Sequence, residues 1–213
     1  MFSPDGRLSR IMSMIFDILV IGLLWMLLCI PVITAGASTT AAYYTMSKVV
    51  RFQSGYIREE FMRSFRQNLK QSLLPSILMV IVFGILTVDI IYLWRSEGRI
   101  YSSLFIVMVG ISFLMLALVI YLYPFMSRFT KDLAGLVKMS GFAAFRFLPV
   151  TIAVMIVLAL LIIGIYLMPW FIVVAPGIYM YLLTYPMELI MKRFMKRPAP
   201  GEAGCEAWYW GKG

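Results

Sequence analysis

The stretch Trp25–Tyr44, WMLLCIPVITAGASTTAAYY, decides how this chain is read. An apolar helix runs through it to Ile30-Pro31, breaks across Val32–Gly36, and restarts on the small residues Ala37-Ser38-Thr39-Thr40-Ala41-Ala42. Proline cannot continue a helix without losing a hydrogen bond, and the residue before it is pushed out of the α region. Gly36 lets the backbone turn, and Ser38 or Thr39 is suited to cap the new helix. Small side chains allow close helix packing in lipid.

The sequence around this break is of membrane type. Of its 213 residues 62% are hydrophobic and 14% charged, with a mean hydropathy of +0.90. A soluble domain carries about 25% charged residues. One integral membrane domain is expected over residues 1–197, followed by a Gly/Pro-rich tail, 198–213, expected to be a disordered cytoplasmic segment. The net charge of +9 sits in clusters between apolar runs, the pattern of cytoplasmic loops and not of a nucleic-acid surface.

Taken in order, Ile11–Ile30 is long enough to cross a bilayer, since ~20 helical residues span about 30 Å. The apolar run Ile11–Ile33 is too long for the ~7–15 apolar residues of a secretory signal and is read as a retained helix. Ala37–Val50 suits either a short crossing or a re-entrant arm. Phe52–Ser72 repeats Ile57, Phe61, Phe65 and Leu69 every four residues, with Arg58, Arg63, Arg66 and Lys70 among its polar positions. It reads as a basic amphipathic elbow lying at the interface. Leu73–Trp94 is the next span, with Pro75 in its first turn, and Tyr101–Phe125 follows. Arg128–Arg146 forms a second elbow bearing Arg128, Lys131 and Lys138, and Phe147–Met168 and Trp170–Met191 make the last hairpin. The fold class is thus all-α: a polytopic transmembrane bundle of five or six spans with two cytoplasmic amphipathic elbow helices.

Lysine and arginine concentrate in the loops after Val50 and after Ser127 and behind the last span, so those elbows and the C-terminus are expected in the cytoplasm. With the N-terminus also inside the crossings number six; with it outside, five. A short internal repeat is also visible. Tyr43-x-x-Met46-Ser47-Lys48 is echoed by Tyr123-x-x-Met126-Ser127-Arg128, each ahead of an elbow and then of Leu-Pro.

Little in the sequence points to chemistry. Histidine is absent, and Cys29 and Cys205 supply neither a disulfide framework nor metal spacing. No phosphate loop is present, and Ser38, Thr39 and Thr40 have no visible base, so neither enzyme nor cofactor is expected. The ionisable groups inside apolar runs are Asp17, Asp89 and Glu188. Charges in lipid are costly and are functional candidates by default. The alternative is local pairing: Glu188 with Lys192, Asp89 with Arg95, Asp17 towards Arg10.

The block Leu24-Trp25-x-x-Leu28-Cys29-x-Pro31-x-x-Thr34-x-Gly36-Ala37-x-x-x-Ala41-x-Tyr43-Tyr44 resembles the signature of the bacterial YesL-like proteins. Phe61-x-x-Ser64-Phe65-Arg66-x-Asn68-x-Lys70-Gln71 is similar to that family's next block. The resemblance covers roughly the first third of the chain. It implies a small multi-pass protein of the bacterial plasma membrane whose biochemical activity is not established. Family members are commonly encoded beside sugar transporters and two-component sensors, which implies a part in carbohydrate uptake or its control. Pro31, Thr34 and Gly36 carry across as a structural turn or binding candidate, and no catalytic residue does. Two functions are expected to compete. One is an accessory or transport-related subunit, with an ABC transporter as partner. The other is a non-transporting regulator or scaffold for a sensor kinase. In either, the basic elbows contact anionic headgroups or a protein partner.

Overall fold

The computed structural model describes residues 7–96, 98–129 and 132–195. Lys131 and the tail 198–213 lie outside the described residues. The described chain is all-helical: α1 (Arg7–Cys29), α2 (Ala35–Thr45), α3 (Ile57–Arg95), α4 (Arg99–Met126), α5 (Leu133–Arg146), α6 (Leu148–Leu167) and α7 (Ala175–Phe194). A 3-10 turn, Val32–Thr34, joins α1 to α2, and a second, Pro169–Val173, joins α6 to α7. A π-helical turn, Met46–Arg51, continues α2. Among the described residues four helices contain segments long and apolar enough to cross a membrane, in α1, α3, α4 and α6.

The break after α1 forms where proline requires it, but its cap differs from the expectation. Neither Ser38 nor Thr39 caps α2. The Thr34 hydroxyl instead donates to the Leu28 carbonyl at 2.5 Å and to that of Pro31 at 2.7 Å. It thereby satisfies one of the last carbonyls of α1, which have no partner within the helix. Thr39 lies inside α2, donating to the Ala35 carbonyl and accepting from the Trp25 indole at 3.0 Å. Ser38 is fully buried.

The first elbow and the span after it are one helix. α3 runs 39 residues, about 58 Å at 1.5 Å per residue, with Pro75 in its interior and not in a first turn. Proline there costs the helix its bond to the Gln71 carbonyl, and around it Ser76 donates to the Ser72 carbonyl at 2.6 Å and Ser72 to that of Leu69.

The small-residue helix α2 is the centre of the molecule. Gly36, Ala37, Ser38, Thr40, Ala41, Ala42, Tyr43 and Thr45 are all buried. It runs antiparallel to the first half of α3, with Lys48 beside Glu60, Tyr44 beside Arg63, and Gly36 against Ser76. A Cβ at Gly36 would strike Ser76 Oγ and lie 2.6 Å from the Tyr123 ring, so only glycine permits this approach. On the other side α1 crosses α7 where Gly22 meets Gly177, and a Cβ at Gly177 would collide with the Ile18 carbonyl. Beyond Ser76, α3 pairs with α4 as a two-helix arm, with the Trp94 and Phe105 rings tilted against each other and their centroids 5.6 Å apart. Past Ser76 only Leu86 and Leu93 of α3 are buried, and α4 has no buried residue before Ala117.

Candidate functional site

Where α2 passes into the π-helical turn, its side chains separate onto two faces of complementary chemistry. Tyr43 and Ser47, four residues apart, share one face, and Tyr44 and Lys48 share the next. A π turn inserts one extra residue per turn and is found often at functional sites. Here it directs polar side chains into the core from a helix built mostly of small residues.

The Tyr43–Ser47 face meets Glu188 of α7. Glu188 Oε1 accepts from Ser47 Oγ at 2.6 Å, from the Tyr43 hydroxyl at 3.0 Å and from Arg128 Nη2 at 3.2 Å. Arg128 Nη2 also donates to Ser47 Oγ at 3.1 Å. The Arg128 side chain is 0% exposed and that of Glu188 1%. Sequestering such a pair costs several kcal/mol per ion before attraction and hydrogen bonds offset it. The two hydroxyls supply part of that offset. Arg128 is presented by the turn just beyond α4, which Ser127 closes by donating to the Pro124 carbonyl at 2.6 Å.

The Tyr44–Lys48 face meets the start of α3. Lys48 Nζ lies 2.8 Å from Glu60 Oε1, and Arg63 pairs with Glu60 Oε2 while donating to the Tyr44 hydroxyl at 3.1 Å. Lys48 and Arg128 both lie against the Tyr44 ring, 5.7 and 5.4 Å from its centroid. Cations over an aromatic face are attracted by its quadrupole. The two basic residues that end the repeated Tyr-x-x-Met-Ser pattern thus converge on one tyrosine. Gly55, at φ +88°, turns the chain beneath Glu60, where any Cβ would come within 3.0 Å of the Glu60 Cγ. Arg51 closes the cluster by donating to the Thr184 carbonyl at 2.6 Å and lying 4.6 Å from the Tyr185 ring centroid.

The cluster therefore couples α2, its π turn, α3, the end of α4 and α7 through charge. Among the described residues no group of three or more His, Cys, Asp or Glu is placed to hold a metal ion.

Of the residues singled out from sequence, Glu188, Arg128 and Arg63 come together here. Glu188 takes Arg128 as an ion-pair partner, its side chain pointing inward between α2 and α4. Pro31 is exposed, and Thr34 and Gly36 serve the break as described. Asp17 is half-buried on α1, beside Val49, Val50 and Gln53. Asp89 is half-buried in the arm and makes no ion pair with Arg95. Arg58, Arg66, Lys70 and Lys138 are exposed. Tyr43, Tyr44, Ser47, Lys48, Arg51 and Glu60 were not site expectations. The signal for them was the i, i+4 spacing of two tyrosines with Ser47 and Lys48 on a helix otherwise built of small residues.

A family model described as "Protein of unknown function, DUF624" matches residues 18–90, from within α1 through α2 and most of α3. It takes in the Tyr43–Arg63 half of the cluster, while Arg128 and Glu188 lie beyond it. No curated protein and no solved structure matches the chain.

Proposed function

We propose that this is a non-enzymatic accessory subunit of the bacterial plasma membrane, of the YesL-like kind, serving carbohydrate uptake without itself conducting the sugar. The observation that carries the reading is the segregation of polar groups. Buried charges are tied into one cluster at one end of the bundle, while the cavities between α4, α6 and α7 are lined by hydrocarbon with few hydroxyls. A sugar path needs polar groups along its length to replace water on the solute hydroxyls.

In this reading the cluster end faces the cytoplasm. Asp17 lies beside Val49 and Val50, so α1 starts at the same end as the π turn. α2 then returns the chain inside the protein, and six limbs leave both termini on the basic side. The exposed Arg58, Arg66 and Lys70 of α3, with Lys138 of α5, form the surface offered to a transporter subunit and to anionic headgroups.

Crosslinking in intact cells followed by purification is expected to recover an ABC permease or its ATPase. Vesicles containing this chain alone are expected to show no sugar flux, and flux from the isolated chain would overturn the proposal. The same basic face would also suit a regulator bound to a sensor kinase. Deleting the chain while transporter expression is forced separates the two readings: an accessory subunit lowers uptake, whereas a regulator leaves uptake intact and alters induction.

A further inference from the structure

Between α6 and α7 runs an apolar slot that takes no part in the ionic cluster. Two cavities, of about 410 and 430 Å³, share Tyr179 and Leu183 and so meet along α7. The second extends between α4 and α6 as far as Trp25, and the first ends between Pro149 of α6 and Pro186 of α7. Each volume is in the range of small-molecule sites, about 300–1,000 Å³. Just before Pro149 in the chain the chemistry changes. The Arg193 guanidinium lies 5.5 Å from the centroid of the Phe147 ring, and the neighbouring Arg146 is exposed. Neither arginine makes an ion pair among the described residues.

We propose that the slot binds one anionic phospholipid, with an acyl chain along Tyr179 and Leu183 and its phosphate between Arg146 and Arg193. The inference rests on the membrane reading above. A guanidinium fork matches phosphate oxygens in a bidentate way that a zwitterionic headgroup's ammonium opposes. A chain held between two helices exchanges its contacts less readily than one lying on an outer face, and each buried methylene adds to its retention. Charge at the mouth and hydrocarbon in the slot therefore select the same ligand.

Native mass spectrometry of the purified full chain, titrated with phosphatidylglycerol or with phosphatidylcholine of identical acyl chains, tests the assignment. One phosphatidylglycerol per chain is expected, retained about tenfold better than phosphatidylcholine, a difference of about 1.4 kcal/mol. Leu183→Trp, which fills the slot, should abolish retention of both lipids. Arg146→Gln combined with Arg193→Gln, both at exposed positions, should lower phosphatidylglycerol to the phosphatidylcholine level and remains informative if the tryptophan variant misfolds. Equal retention of the two lipids by the unaltered chain, or unchanged selectivity in the double variant, would overturn the proposal. Binding of glycerol phosphate as tight as that of phosphatidylglycerol would overturn it too, by making this a site for soluble phosphate. The readout needs no transporter, so it stands or falls separately from the accessory-subunit reading.

Discussion

Up to Ser76, α3 lies along α2 with Glu60, Phe61, Ser64 and Ser72 buried, whereas from there to Arg95 it buries only Leu86 and Leu93. One continuous helix thus has two different supports. The first half is held by packing and by the charge cluster. The second needs neither, because a helix satisfies its own backbone groups and its apolar side chains suit hydrocarbon on every face. Side-chain changes should therefore be costly at the cluster and nearly silent in the arm, and that contrast can be broken by experiment.

The largest effect is expected at Glu188. Glu188→Ala leaves the fully buried Arg128 without its carboxylate, and removing one partner of a buried pair costs about 3–5 kcal/mol. Thermal unfolding in detergent should show the loss. Glu188→Met combined with Arg128→Met should recover most of it, since hydrophobic replacement of a whole pair is often neutral or better. A loss below about 1 kcal/mol for Glu188→Ala, the ordinary worth of an exposed pair, would mean that the cluster admits water.

A glycine comparison comes next in size. Gly36→Ala forces a methyl group against Ser76 and the Tyr123 ring, and overpacking of this kind costs about 1–3 kcal/mol. Adding Ser76→Ala should restore only part, because the Tyr123 ring remains in place. In the arm, Gly84 and Gly110 have nothing within 4 Å of an added Cβ. Gly110→Ala should therefore be neutral or stabilising by up to about 1 kcal/mol, the helix-propensity gain. Equal effects at Gly36 and Gly110, read by the same unfolding assay, would erase the distinction between core and arm.

The sequence conveyed the helices, the proline break and the buried small-residue helix because hydrophobic runs and helix breakers act locally. It did not convey that Phe52–Ser72 and Leu73–Trp94 share one helix. Pro75 normally ends a pattern, and what keeps α3 continuous is the tertiary cover over Ser72 and Ser76. The pairing of Glu188 with Arg128 is hidden from the sequence for a related reason. Lys192, one turn away, is visible in the sequence, whereas Arg128 is 60 residues distant and is brought close only by the packing of α4 against α7.

A smaller effect is expected at the less sealed side of the cluster. Glu60→Gln removes the carboxylate between Lys48 and Arg63, but the Arg63 side chain is 50% exposed and can turn to water. Lys48 has a flexible stem that can carry its ammonium outward. The expected loss is about 1 kcal/mol, the net worth of one hydrogen bond, far below that at Glu188. A loss as large as that of Glu188→Ala would show that both carboxylates belong to one sealed network, and a double-mutant cycle would then give strong coupling between them.

The smallest effect is expected at Asp89, an acidic residue of the arm. It stands six residues before Arg95, about 9 Å along the axis, close enough to the tip for its carboxylate to reach headgroup water. With no ion-pair partner to lose, Asp89→Asn should change unfolding stability by no more than about 0.5 kcal/mol, the usual range for surface substitutions. Asp89→Leu should behave alike, because the surrounding face is already apolar. A loss of more than about 1 kcal/mol in both variants would mean that this carboxylate is held by a specific partner, as an ordinary buried hydrogen bond would require. The arm would then be a second interaction site and not a lipid-supported hairpin, and the contrast between the two halves of α3 would need to be redrawn around Asp89.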